Sequence, residues 1–185
     1  MEAGKIKSYG VATYSCFRQK PTAHKQFLSL QKTEAIAQKV VGQDKKHNFK
    51  HIQVPINVMM PEAFVEPWQP FEKEGVSRNK LLAAVCADLN LNLTASQPLL
   101  QGQVANLPLS KFAVPRAHTL GARHLQLIRS IPSKALLSCV VGMKEPSHVR
   151  HNLQVIKGAP LTRQEFLDGI KPVKRTEFIE EELDY

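Results

Sequence analysis

The stretch IKSYGVAT, Ile6 to Thr13, reads as a short β-strand. It is followed by Pro21 and then by Gln26 to Val41, where apolar residues recur at roughly helical spacing up to a stop at Gly42. A strand, a loop and a longer helix make a parallel βα unit, and the same order returns three more times along the chain. After the basic, polar run Gln43 to Lys50, a second strand, HIQVPINV, is expected from His51 to Val58. The Pro-punctuated segment Pro61 to Pro70 and a helix from about Asn79 to Leu89 follow it. The third strand is Asn92 to Ser96, closed by the loop Gln97 to Gln103. Between Val104 and Pro115 the chain is Pro-rich, and an irregular wrapping loop is expected there. A helix over about Ala117 to Arg129 is expected to turn Leu120, Leu125, Leu127 and Ile128 to a core. Pro132 then breaks the chain before a fourth strand, Leu136 to Val141. Ser147 to Leu153 reads as its helix, and Thr162 with Glu165 has the form of a capping box opening a short helix before Gly169.

With 185 residues and 43% hydrophobic composition the chain has enough apolar mass for one continuous core. Its net charge of +9 is unevenly spread. Residues 1–50 hold ten basic and three acidic side chains, whereas residues 171–185 hold three basic and five acidic ones. The sequence therefore divides into residues 1–170, carrying the repeated units, and an acidic tail, 171–185. A basic excess suits phosphorylated ligands, anionic lipid or nucleic acid. No zinc-finger spacing, helix-turn-helix signature or aromatic-interleaved Arg motif accompanies it, so nucleic acid is not the expected partner. Cys16, Cys86 and Cys139 stand far apart among apolar neighbours and read as reduced, buried thiols of an intracellular protein, cytoplasmic or mitochondrial. No apolar run is long enough to span a membrane.

The four strand-and-loop motifs occur in an order that resembles the C-terminal half of the aldo/keto reductase family. KIKSYGVATYSCFR resembles that family's fifth barrel strand, HIQVPINVMMPEA the sixth, NLTASQPLLQGQ the seventh, and LSCVVGMKEPSHVRHNL the eighth with its phosphate-binding helix. The resemblance runs from Lys5 to about Phe166. It implies an α/β fold, a partial TIM (β/α)8 barrel of four C-terminal units, with NADP lying across the C-terminal ends of the strands.

What the resemblance implies for single residues is uneven. Gln53 matches the glutamine that hydrogen-bonds the nicotinamide carboxamide. Ala12 and Thr13 stand where the family has a Ser-Asn pair, so Thr13 keeps a polar side chain and Ala12 does not. Ser96 replaces the tyrosine that stacks under the nicotinamide ring, and a serine offers no aromatic face. Gln97, Pro98, Leu99, Leu100, Gln101 and Gly102 match the loop that straps the pyrophosphate. Gly142, Met143 and Lys144 precede a helix N-terminus suited to a phosphate, with Lys144 adding a charge toward the adenosine 2′-phosphate. Asn152 matches the adenine-contacting asparagine, while His148 and His151 stand where the family prefers Arg or Gln and Glu.

Carbonyl reduction in this family also needs a tyrosine, lysine, aspartate and histidine from its first four strands. The resemblance here begins at the fifth strand, and no such set surrounds Tyr9 or Tyr14, so no catalytic residue is expected in this chain. Tyr9 reads as a packed strand residue. His148 and His151 lack a third partner in the sequence for a metal. Four units do not close a barrel, and the outer strands would each keep an unpaired edge, with inward faces short of opposing layers. A second copy or another protein is therefore expected to cover the edges. Two readings follow: part of an NADP-dependent reductase, or a reductase-like half domain serving as a structural subunit of a larger assembly.

Overall fold

A computed structural model describes residues 4–23, 25–106, 114 and 117–170. The acidic tail and most of the Pro-rich loop lie outside the described residues. The elements are β1 (Tyr9–Ala12), α1 (Leu30–Val41), β2 (Phe49–Pro55), α2 (Glu62–Val65), β3 (Gln69–Lys73) and β4 (Val76–Lys80). They continue with α3 (Leu82–Asp88), β5 (Asn92–Ser96), α4 (Leu120–Arg129), β6 (Leu136–Cys139), α5 (Pro146–Leu153) and α6 (Arg163–Ile170). Strands β1, β2, β5 and β6 pair in parallel, in that order, as one four-stranded sheet. These are the four parallel units expected from the repeat, arranged as the partial barrel that the family resemblance implies, and among the described residues no strand closes it.

The sheet has two unlike faces. Ile52 and Val54 on β2 and Leu93 and Ala95 on β5 are fully buried under the helices. The residues between them, which must point the other way because side chains alternate along a strand, are His51, Gln53, Asn92 and Thr94. On that concave face His51 Nε2 lies 2.8 Å from Ser8 Oγ, and Thr94 Oγ1 lies 3.3 Å from Ser138 Oγ. The inward face thus carries side-chain hydrogen bonds where bulky branched residues would fill a closed barrel. Gly10 is required where β1 meets β2, because a Cβ there would stand 1.9 Å from the His51 carbonyl oxygen.

Several boundaries differ from expectation for local reasons. β2 ends at Pro55 because Asn57 turns the chain, its Oδ1 accepting from the amides of Met59 and Met60 at 2.9 and 3.0 Å. The helix expected from Asn79 starts at Leu82, since Asn79 and Lys80 belong to an unforeseen antiparallel hairpin, β3–β4. Its two-residue turn is Glu74–Gly75, both with positive φ, as a hairpin with right-handed twist demands. α1 begins at Leu30 and α4 at Leu120, where Ser29 and Thr119 cap them, rather than at Gln26 and Ala117. β1 is shorter than expected, and β6 stops at Cys139. The capping box is present, Thr162 N–H donating to Glu165 Oε2 (2.8 Å) and Glu165 N–H to Thr162 Oγ1 (3.3 Å). Its helix runs through Gly169 rather than ending before it.

Leu125, Leu127 and Ile128 reach the core, while Leu120 is only half-buried. Cys86 is buried, but Cys16 and Cys139 are only partly so, which corrects the expectation of three buried thiols. Tyr9 tilts against Phe49 at 5.6 Å yet stays 37% exposed, less packed than expected.

One buried amide joins three segments. Gln69 is 1% exposed; its Oε1 accepts from Leu30 N–H at 2.8 Å, and its Nε2 donates to the carbonyls of Phe17 (2.9 Å) and Leu28 (3.2 Å). It serves the first turn of α1 while tying down the chain that leads from β1 into it. Gln69→Leu keeps the bulk and strands these partners, so unfolding in urea is expected to show a loss of about 3 kcal/mol. An unchanged midpoint would refute this role.

Candidate functional site

The ends of β5 and β6, with the loops that leave them and the starts of α4 and α5, form a cleft of about 780 Å³. Its walls are Ser96 to Leu99, Gln101 and Gly102 after β5, Thr119 to Gly121 at the start of α4, Val140 to Gly142 after β6, and His148, His151 and Asn152 on α5. Nine of the residues expected to hold a cofactor meet here: Ser96, Gln97, Pro98, Leu99, Gln101, Gly102, Gly142, His148 and Asn152. Met143 and Lys144 are exposed between Gly142 and the start of α5, beside this wall rather than in it.

Thr13 and Gln53 stand apart from the cleft, at the ends of β1 and β2. Gln53 pairs with Ala12 on one side and with Thr94 on the other, and its carbonyl accepts from Thr13 N–H at 3.0 Å. Thr13 Oγ1 is buried with no hydrogen-bond partner. A hydroxyl in that state carries an unmet desolvation cost that a polar ligand group would relieve.

The loop after β5 has an unusual backbone. Gln97, Leu100, Gln101 and Gly102 all have positive φ, at 50°, 45°, 56° and 89°. Only glycine adopts this region freely, and three side-chain-bearing residues in it concentrate strain of a kind found at ligand clamps. Internal bonds brace the turn, Leu100 N–H to Gln97 carbonyl (3.0 Å) and Gly102 N–H to Leu99 carbonyl (2.7 Å).

Two helix starts contribute to the cleft. The N-cap and first residues of α4 line it, and α5 presents His148 from its first turn, so unsatisfied amides and the positive ends of both dipoles are available to an anion. Thr119, Leu120, Gly121, Val140 and Val141 were not expected from the sequence. Thr119 was findable as a cap, and Gly121 as a residue without a side chain in the first turn; a Cβ there would approach Leu99 at 3.8 Å and Asn152 at 3.9 Å. His148 and His151 both face the cleft, and among the described residues no group of three or more His, Cys, Asp or Glu side chains converges on a metal position. Tyr14 is 56% exposed, with the Arg18 guanidinium 5.8 Å from its ring.

No family model and no curated protein matches the sequence. Solved structures do. The chain is similar to an aldo-keto reductase from Bacillus halodurans in its holo form (TM-score 0.58, 13% identity), with 98% of this chain covering 55% of that one. The apo form of that protein matches at TM-score 0.56 and 12% identity, over 98% and 56% of the two chains. A thermostable aldo-keto reductase solved with the inhibitor epalrestat matches at TM-score 0.56 and 15% identity, over 91% and 49%. The chain thus has the fold of part of an aldo-keto reductase barrel and spans about half the length of the structures it matches.

Cys139, at the end of β6 just before the cleft wall, has its thiol pushed up by burial from 9.0 to about 12; burial raises Cys86 as well. Both thiols are therefore neutral at pH 8. The stabilisation from keeping them neutral is complete below pH 9.0 and is lost as the pH rises toward about 12. With a thiol-specific chromogenic reagent at neutral pH, Cys139 is expected to react slowly and Cys86 only on unfolding. Prompt titration of both in the native protein would contradict this assignment.

Proposed function

We propose that this chain is the cofactor-side half of a reductase-type barrel, holding NADP and contributing to carbonyl reduction only when a second half supplies the proton-donating residues. The observation that carries the reading is the convergence of the nine expected residues on one cleft between two helix N-termini. Lys144 with the first turn of α5 would hold the adenosine 2′-phosphate, and Asn152 the adenine. The strained loop Gln97 to Gly102 would lie along the pyrophosphate. Gln53 and Thr13 would take the carboxamide, whose polar atoms would give the orphaned Thr13 hydroxyl a partner. NADPH, when bound, supplies the hydride; the chain's own residues bind and orient. Ser96 gives the ring no aromatic support and Ala12 no hydrogen bond, so the nicotinamide end is held more weakly than the adenine end.

The distribution of exposed apolar side chains supports a covering partner. Ile6, Tyr9, Ile36 and Val40 are exposed at the β1–α1 end, and Leu137, Val140, Leu153 and Ile156 at the β6–α5 end. Among the described residues, the units between them expose only Met59 and Val76 of the large hydrophobic side chains, so the excess lies at the two open ends. On α1, Gln31 bonds β3 on the side of the next unit, and Val40 lies on the opposite flank by helical spacing. That flank is where a preceding unit would pack. The same observation favours the second reading, a reductase-like half domain kept as a structural subunit: the ends bind protein whether or not the cleft binds nucleotide.

Titration with NADPH, followed by nicotinamide fluorescence, is expected to saturate. Lys144→Ala should weaken it roughly fivefold to tenfold while leaving NADH nearly unchanged, because only NADPH carries the 2′-phosphate. Absence of NADPH binding would leave the structural reading. A monodisperse monomer that unfolds cooperatively would count against the covered ends.

A further inference from the structure

The loop after β5 holds a backbone shape that its own residues disfavour, and one side chain outside the loop keeps it there. Asn57 is fully buried in the turn that follows β2. Its Nδ2 donates to the Gln97 carbonyl at 3.0 Å, and its Oδ1 accepts from Met59 and Met60 N–H at 2.9 and 3.0 Å. One residue earlier, Ile56 N–H donates to the Ser96 carbonyl at 3.0 Å. The root of the loop is thus bound at two consecutive carbonyls to a turn that is itself closed by reciprocal Asn57–Met60 backbone bonds. The Gln97 carbonyl also receives Leu100 N–H. The Asn57 amide therefore sets the peptide that opens the loop in which Gln97, Leu100, Gln101 and Gly102 are left-handed.

We infer that Asn57 is a positioning residue for dinucleotide binding: its amide donor holds the Gln97 peptide, and with it the strained loop, in the shape that meets the pyrophosphate. The inference rests on the NADP reading above and adds a residue that touches no part of the ligand. Left-handed residues with side chains cost of order 1 kcal/mol each, so a loop with three of them relaxes when its anchor is lost. The side chain must both donate and accept. An amide does so without charge in a fully buried position, whereas a carboxylate there would turn an oxygen toward the Gln97 carbonyl.

Asn57→Asp keeps the shape and the acceptor for Met59 and Met60 and removes the donor. Calorimetric titration of the purified protein at about pH 8 is expected to show NADP⁺ weakened about tenfold. Binding of 2′,5′-ADP, which reaches only the Lys144–Asn152 end of the cleft, should change by less than about twofold. Lowering the pH to about 5.5 should restore the ratio of the two affinities, because the protonated carboxyl can again donate to Gln97. Asn57→Ser, neutral and too short to reach Gln97, should give the same selective loss without recovery, and serves if the acidic variant does not fold. Equal NADP⁺ affinity in a variant, or equal loss for both ligands, overturns the positioning role alone. A wild-type chain that binds neither ligand overturns the NADP reading and this inference with it.

Discussion

The rest of this structure depends on the parallel pairing of β2 with β5, and on that pair being apolar toward the helices and polar toward the barrel axis. A parallel sheet is ordinarily covered on both faces. Here Ile52, Val54, Leu93 and Ala95 supply a core on one side only; on the other lie His51, Gln53, Asn92 and Thr94, of which His51 bonds Ser8 and Asn92, and Thr94 bonds Ser138 on β6. A half-barrel with a polar concave face tolerates water there. Its liabilities are the strand edges and the terminal helices, where the exposed apolar residues gather.

Because the sheet is short and open, side chains do much of the work of fastening its loops. Gln69 ties the start of α1 to the chain leaving β1, and Asn57 ties the turn after β2 to the loop after β5. The buried ion pair of Arg18 with Glu62 joins the turn after β1 to α2. Ser130 Oγ accepts from Leu161 N–H at 2.8 Å while donating to the Gln126 carbonyl, and Arg129 reaches the carbonyls of Val155 and Gly158. Each links segments tens of residues apart, and all but the ion pair satisfy backbone groups that would otherwise be buried unpaired. The cleft inherits its shape from these links as much as from the strands.

Within the cleft, what the fold maintains and what chemistry requires come apart. Helix starts, a braced glycine-containing loop and nearby basic groups suit a phosphorylated ligand. At the strand ends, Ala12 offers no side-chain hydrogen bond and Ser96 no aromatic face.

How much was legible in advance follows the range of the forces involved. Alternation and helical spacing are local, so the four βα units, the strand Asn92–Ser96 and the Thr162–Glu165 capping box can be read directly from the sequence. The segments that line the cleft after β5 and β6 were legible too, through the family resemblance, because they are continuous stretches of chain. The hairpin Gln69–Lys80 was not, since its turn, Glu74–Gly75, lacks the usual Asn-Gly or Asp-Gly mark, and Asn79 and Lys80 pass for helix residues. Nor could the sequence show that Thr119 and Gly121 would join the cleft, that Thr13 would be left without a partner, or that Gln69 and Asn57 would act as anchors. Sequence by itself determined the order and type of the units and the polarity of their faces, because these depend on residues a few positions apart. Only the tertiary structure decided which distant backbone groups each buried amide satisfies, because a hydrogen bond in a dry interior is set by where whole segments meet.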